Sequence, residues 1–291
     1  MSSRRLAYRI AKTPVLGRIV LAVFRLGYGF RYVCPPVAAL FKWVFTSREI
    51  FNYTYDLTPM NRRYLASFLA AATGAAPETF ETYFRELEED AGLRDHVAGL
   101  ARSSEERFQA DPCARYGRRI AWYALVRWLK PRVVLETGVD KGLGACVIAA
   151  ALLRNRREGR PGRYLGTDIN PKAGYLLTAP YDSTGEIRYG DSIDSIGRLD
   201  LQVDLYINDS DHSAAYEARE YAAMMPRLAP SSFIIGDNAH VTEELSRFCR
   251  ATGRNFLYFQ EKPLGHWYPG GGIGLGYAPT AATLAAKDDV F

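Results

Sequence analysis

Cysteine is scarce: Cys34, Cys113, Cys146 and Cys249 are the only four in 291 residues, with no C-x-x-C pair. That excludes a disulfide framework and leaves no Cys/His grouping for a structural zinc; free thiols in a reducing, cytoplasmic setting are the expectation. Internal repeats and low-complexity tracts are missing, which removes solenoid architectures. No apolar run can span a bilayer. The longest uncharged stretch near the N-terminus, Tyr32 to Phe41, is ten residues and contains Pro35-Pro36, against the ~20 a spanning helix needs. Arg18 interrupts the apolar region of any secretory signal. Nor is there an acidic residue before Glu49, whereas nine basic ones lie in residues 1–48. Those nine exceed the whole net charge of +5, so the remainder is net acidic.

What is present is the composition of a folded protein, 48% apolar and 24% charged, in a chain long enough for one large α/β domain with an appendage. Residues 1–48 read as a basic amphipathic arm. At helical spacing Arg18 and Arg25 share one face, and Leu16, Val20 and Val23 fall opposite. Such an arm suits an anionic membrane surface, placing the protein peripherally at the inner face of a membrane. The other reading is a helix packed on the body of the protein or in an interface with a second copy, and a homo-oligomer is expected. Nucleic acid is not an expected partner, because the basic residues lie far from the candidate site.

Residues 49–130 read as a helical cap region. Thr58-Pro59 starts a helix that stops at Gly74, Pro77 opens an acidic one through Asp90, and a third from about Arg118 to Leu129 buries Ile120, Ala124, Leu125 and Trp128. From residue 131 to 291, strands and helices alternate, which predicts a Rossmann-like, doubly wound α/β sheet with helices on both faces. Expected strands are Val133–Glu136, Arg163–Asp168, Ile187–Tyr189, Val203–Asn208, Ser232–Gly236, Asn255–Gln260 and Gly272–Tyr277.

The stretch Arg132–Gly144 organises this half. A β-branched run ends in Glu136, glycines follow at Gly138, Gly142 and Gly144, and an alanine-rich helix begins at once. Strand, glycine turn and helix form the first half of a nucleotide site, where glycines admit close backbone approach. The spacing is not the Gly-x-Gly-x-x-Gly of a dinucleotide site. Later strands end in further polar groups: Asp168, then Gly190-Asp191-Ser192, then Asp209-Ser210-Asp211-His212, then Asp237-Asn238. Ligands in such sheets bind beyond the carboxyl ends of the strands. Asp209, Asp237 and Asn238 together offer hard oxygen donors suited to Mg²⁺ or a similar divalent ion. Each aspartate could instead cap the helix that follows it, and His212 could be a surface or capping residue.

The Glu-x-Gly-x-x-x-Gly-x-Gly spacing resembles motif I of class I S-adenosyl-L-methionine (SAM)-dependent methyltransferases, in the form found in catechol O-methyltransferase. That resemblance implies a seven-stranded sheet whose last strand is inserted antiparallel; the N-terminal helical extension is read from the residues before it. It implies SAM over Glu136, Gly138, Gly142 and Gly144, ribose at Asp168 and adenine near Asp191 and Ser192. The Asp-x-Asp-His-Ser run resembles the macrocin- and mycinamicin-type sugar O-methyltransferases and their cephalosporin hydroxylase relatives. In those a histidine at the place of His212 is the proposed base, where the catechol enzymes use lysine. Many of those sugar enzymes carry Asp-Asp after strand five, whereas this chain has Asp237-Asn238. The resemblance covers about residues 116–278.

The function implied is SAM- and divalent-metal-dependent O-methylation of a saccharide, glycolipid or glycosylated natural product. A neutral imidazole at His212, with an ordinary pKa near ~6.5, would accept the hydroxyl proton. His240, His266, Trp267 and Tyr268 are secondary candidates for acceptor contact. The alternatives are a soluble polyketide or phenolic acceptor, a hydroxylase on the same fold, and a non-catalytic membrane adaptor.

Overall fold

The computed structural model of the chain describes residue 8 and residues 10–279, and these form two compact units. One contains the described residues up to Ser47 together with Gly265–Pro269; the other contains Arg48–Leu264 and the described chain from Gly270 onward.

In the first unit, α1 (Leu16–Thr46) is 31 residues long and runs through Pro35 and Pro36. Each proline removes an N–H from the helical ladder, yet the flanking apolar residues keep helical geometry. The helix carries Arg18, Arg25, Arg31 and Lys42 and no acid. Its apolar side chains are exposed, among them Ile19, Val23, Leu26, Val33 and Phe41. Trp43 meets Trp267 edge-on at 5.4 Å. No helix among the described residues is long and apolar enough to cross a membrane.

The second unit begins with helices α2 (Pro59–Thr73), α3 (Pro77–Glu88), α4 (Ala91–Ser103) and α5 (Arg119–Leu129). Thr58 caps α2, accepting from the Asn61 N–H at 3.3 Å, and Gly74 ends it with a left-handed φ of 72°. The acidic helix expected to continue through Asp90 stops two residues earlier. Asp90 instead caps α4 by accepting from the Leu93 N–H at 2.9 Å, so α4, which has no proline or glycine start signal, escaped the sequence reading. In α5, Ile120, Ala124 and Leu125 are buried as expected.

A seven-stranded sheet follows, built from β1 (Val133–Thr137), β2 (Arg163–Asp168), β3 (Gly185–Tyr189), β4 (Val203–Asn208), β5 (Leu228–Gly236), β6 (Asn255–Gln260) and β7 (Gly272–Tyr277). The order is β3-β2-β1-β4-β5-β7-β6, with β7 antiparallel to both neighbours and the other pairs parallel. Between them lie α6 (Leu143–Arg157), α7 (Ser192–Gly197), α8 (Ala214–Met224) and α9 (Glu244–Ala251). Strand β5 starts four residues before the predicted Ser232, and its pairing with β4 shifts register between Leu228 and Phe233. On one side of the sheet Leu135, Leu165, Tyr206 and Ile234 pack with Tyr221, Met224 and Leu245. Helices α5 and α6 are buried along most of their length; the small residues Ala145, Ala149 and Ala151 allow α6 to lie close to its neighbours.

The parallel ladder continues one hydrogen bond past the strand ends. Gly138 N–H donates to Thr167, Asp209 N–H to Thr137 and Asp237 N–H to Asn208, each at 2.8 Å. This stitching draws the loops after β1, β4 and β5 to a single rim.

Candidate active site

The turn after β1 packs tightly on the β4 loop. At Gly138, with φ of 83°, a Cβ would lie 1.9 Å from the Asp209 carbonyl oxygen, so only glycine fits. At Gly144 a Cβ would fall 2.4 Å from Glu136 Oε1 and 2.5 Å from the Trp122 ring. Both glycines therefore make room for protein atoms, and Gly142, with φ of 94°, caps the start of α6.

Glu136 is 1% exposed and accepts from the Tyr164 hydroxyl at 2.5 Å. Burial pushes its pKa up to about 8 against the pull of that hydrogen bond. The strand-end carboxylate is thus a buried group under α6. Asp168 is engaged as well: its Oδ2 accepts from the Val139 and Asp140 N–H groups, both at 2.9 Å, and its Oδ1 from Asn170 at 2.8 Å. It shapes the glycine turn from below. Asp191 has the capping role weighed above, accepting from Ile193 at 2.9 Å and Asp194 at 3.2 Å, while Tyr216 donates to its other oxygen at 3.2 Å. Ser192 is buried, 2.8 Å from the Tyr216 hydroxyl and bonded to Glu220.

A cavity opens on the turn itself. Val139, Asp140, Lys141 and Leu143 line it together with Glu49 and Arg119. The Arg119 Nε is buried without a hydrogen-bond partner, and its guanidinium lies 5.4 Å from the Trp122 ring centre.

The loops after β4 and β5 bring Asp209, His212, Asp237 and Asn238 together. His212 Nε2 is 3.6 Å from Asp209 Oδ1 and 3.0 Å from the Asn238 amide nitrogen, and Nδ1 is 3.4 Å from Glu217 Oε1. Asn238 has φ of 55°, a left-handed conformation that asparagine tolerates better than most residues. Burial disfavours the charged imidazole, but hydrogen bonding to Asp209 and Glu217 more than reverses this and raises its pKa to about 10. The two carboxylates thus favour the imidazolium over the neutral ring expected from the sequence. Burial and the charge of Asp237 raise Asp209.

Asp237, 0% exposed, is taken up by an unforeseen partner. Arg118 donates through Nε and Nη2 to both of its carboxylate oxygens, and Nη1 lies 3.5 Å from Glu261 Oε2. Burial would raise the Asp237 carboxyl, but the guanidinium holds it below the usual range. The expected Mg²⁺ set of Asp209, Asp237 and Asn238 does not fit a divalent ion in this arrangement, since an arginine already uses both Asp237 oxygens. No group of three or more His, Cys, Asp or Glu side chains among the described residues is arranged to hold a metal.

Sequence reading missed Arg118, Arg119, Glu217 and Glu261. Arg118 and Asp237 are 119 residues apart, beyond any local spacing rule. The available signal was two adjacent arginines at the start of a mostly apolar helix, since buried charges are almost always paired. Among the secondary candidates, His240 accepts from the Gly272 N–H at 3.0 Å. His266, Trp267 and Tyr268 belong to the unit that contains α1, where His266 stacks on Trp267.

A family described as a methyltransferase domain matches residues 135–239, from β1 into the loop that carries Asp237. Similar solved structures include the O-methyltransferase TomG from Streptomyces achromogenes in complex with SAM, 17% identical, covering 66% of this chain and 91% of that one, with a TM-score of 0.49. An O-methyltransferase from Bacillus cereus in complex with SAH is also 17% identical, covering 74% and 97%, with a TM-score of 0.43. A putative caffeoyl-CoA O-methyltransferase from Staphylococcus aureus is 12% identical, covering 67% and 99%, with a TM-score of 0.49. No curated protein matches the chain.

Proposed function

We propose, with the methyltransferase domain over residues 135–239 as premise, that this chain moves a methyl group from SAM to a hydroxyl oxygen of a small acceptor. The observation that carries this reading is the junction of two loops. The glycine turn after β1 packs at Gly138 directly on Asp209, and Asp209 in turn faces His212 across 3.6 Å. A donor seated on the turn and a hydroxyl at His212 would therefore be neighbours.

The residues present fit SAM. The turn lines the cavity, and the unpartnered Arg119 Nε suits a carboxylate, while Asp140 and Glu49, which also line it, suit an amine. SAM, when bound, supplies a methyl group on an electrophilic sulfonium. In its neutral form His212 would receive the hydroxyl proton at Nε2 as the new oxygen–carbon bond forms and the sulfur–carbon bond breaks. Asp209 and Glu217 stabilise the resulting imidazolium, and the Asn238 amide, 3.0 Å from Nε2, orients the ring. Arg118 already holds both Asp237 oxygens, so the transfer relies on this chain's own side chains.

For the acceptor, a saccharide, glycolipid or glycosylated natural product is the reading supported by the Asp-x-Asp-His-Ser run, with a soluble phenolic or polyketide as the second choice. A peripheral membrane position is supported by α1, whose basic residues have no acidic neighbours on the helix and whose apolar side chains are exposed. Titration calorimetry with SAM, followed by mass detection of methylated sugars, tests the central reading. A folded protein that takes up neither SAM nor its demethylated product sinks it.

A further inference from the structure

The cluster after β4 and β5 carries its own cation. Arg118 is the N-cap of α5, whose residues Ile120 to Arg127 are all buried, so its guanidinium is delivered from the end of a rigid element. Gly117, with φ of 48°, lies against Tyr55, where a Cβ would come within 3.2 Å. That contact fixes the backbone just before it. The guanidinium grips Asp237 with two parallel bonds, the geometry in which arginine and carboxylate match best. On its other edge stands Glu261, 1% exposed, whose Oε2 also accepts from Tyr55 at 2.9 Å and Gly271 at 3.1 Å.

We propose that Arg118 is the resident cation of this site: it holds both of the Asp237 oxygens that a divalent ion would need, and methyl transfer proceeds without such an ion. This rests on the methyltransferase reading above. A divalent cation needs about six oxygen ligands. To reach Asp237 it would have to break a buried, bidentate ion pair, which is costly because the freed guanidinium stays desolvated. Arg118 is a positioning residue here. It keeps Asp237 ionised and fixed beside Asp209, which in turn faces the imidazole. The competing arrangement is concrete. Arg118 would swing wholly to Glu261, whose Oε1 has no hydrogen-bond partner, and release Asp237 to a metal.

Mn²⁺ titration followed by electron paramagnetic resonance separates the two on the full chain. The expected result is that the wild type holds no Mn²⁺ that Asp209→Asn removes; a site that persists in that variant lies elsewhere and agrees with the proposal. A stoichiometric Mn²⁺ lost in Asp209→Asn overturns it. Asp209→Asn leaves the Arg118–Asp237 pair in place, so the comparison does not depend on a fragile variant. As a second arm, Arg118→Gln should gain a Mn²⁺ site at least about tenfold tighter than the wild type, equivalent to about 1.4 kcal/mol, whereas Arg118→Lys, which keeps the charge, should not. A gain in both, or in neither when both are folded by circular dichroism, counts against a charge-for-charge role. SAM calorimetry in excess EDTA reads the underlying function separately. Absent SAM binding would defeat the methyltransferase reading whatever the Mn²⁺ result.

Discussion

Two ends of one sheet edge use the same residue type for different work. Beyond β2 and β3, Asp168 and Asp191 spend their carboxylates on backbone N–H groups within a turn or at a helix start. Beyond β4 and β5, Asp209 and Asp237 face charged side chains, His212 and Arg118. The first pair shapes backbone; the second sets protonation states. An aspartate at a strand end thus has no fixed meaning in this fold. Its role follows from whether amides or cations are the nearest donors.

The sharpest way to break this contrast is at His212. Replacing it with Asn should lower methyl transfer by about 10²–10⁴-fold, the usual worth of a positioned base, with SAM affinity unchanged by calorimetry. The pH profile gives the sign. A base acts only when unprotonated, so with its pKa raised to about 10 the wild-type kcat/KM should climb from neutrality toward pH 10. Asp209→Asn removes one of the carboxylates that stabilise the imidazolium, and the rising limb should move to lower pH. A flat profile between pH 7 and 10 would remove His212 from the role.

Asp237→Ala probes the paired side by stability. It leaves Arg118 buried with Glu261 as the remaining carboxylate, and the loss should be about 3–5 kcal/mol by urea unfolding. Asp191→Ala, on the other side, removes a helix cap and should cost about 1 kcal/mol. If the two costs come out equal, the difference drawn between the two sides of the edge is wrong. The smallest expected effect lies outside the sheet. Reversing Arg18, Arg25 and Arg31 to Glu should leave turnover on a water-soluble acceptor unchanged. It should, however, reduce co-sedimentation with anionic liposomes, an attraction of about 1 kcal/mol per basic residue at low salt. Equal sedimentation with the wild type would discard the membrane position.

Much of this architecture was legible because its causes are local. Thr58-Pro59 and Gly74 mark α2 through a cap, a pre-set φ and a left-handed stop, and β2, β4, β6 and β7 coincide with their predicted bounds. The Gly138 turn was legible too, although the reason for the glycine was not: it clears the Asp209 backbone. Helix α4 was missed because its only start signal, Asp90, looked like the tail of an acidic helix. The metal expectation came from donor types at adjacent strand ends, a pattern that cannot register an arginine arriving from before β1.

By itself, then, the order of apolar runs, glycines and caps determined the α/β alternation, the glycine turn and the rim on which Asp209, His212, Asp237 and Asn238 stand. Local backbone preferences and side-chain period suffice for that. Only the tertiary structure decided their charges. Arg118 and Glu261 reach Asp237 from distant parts of the chain, and in a buried setting the protonation of each group depends on neighbours a few ångströms away in space.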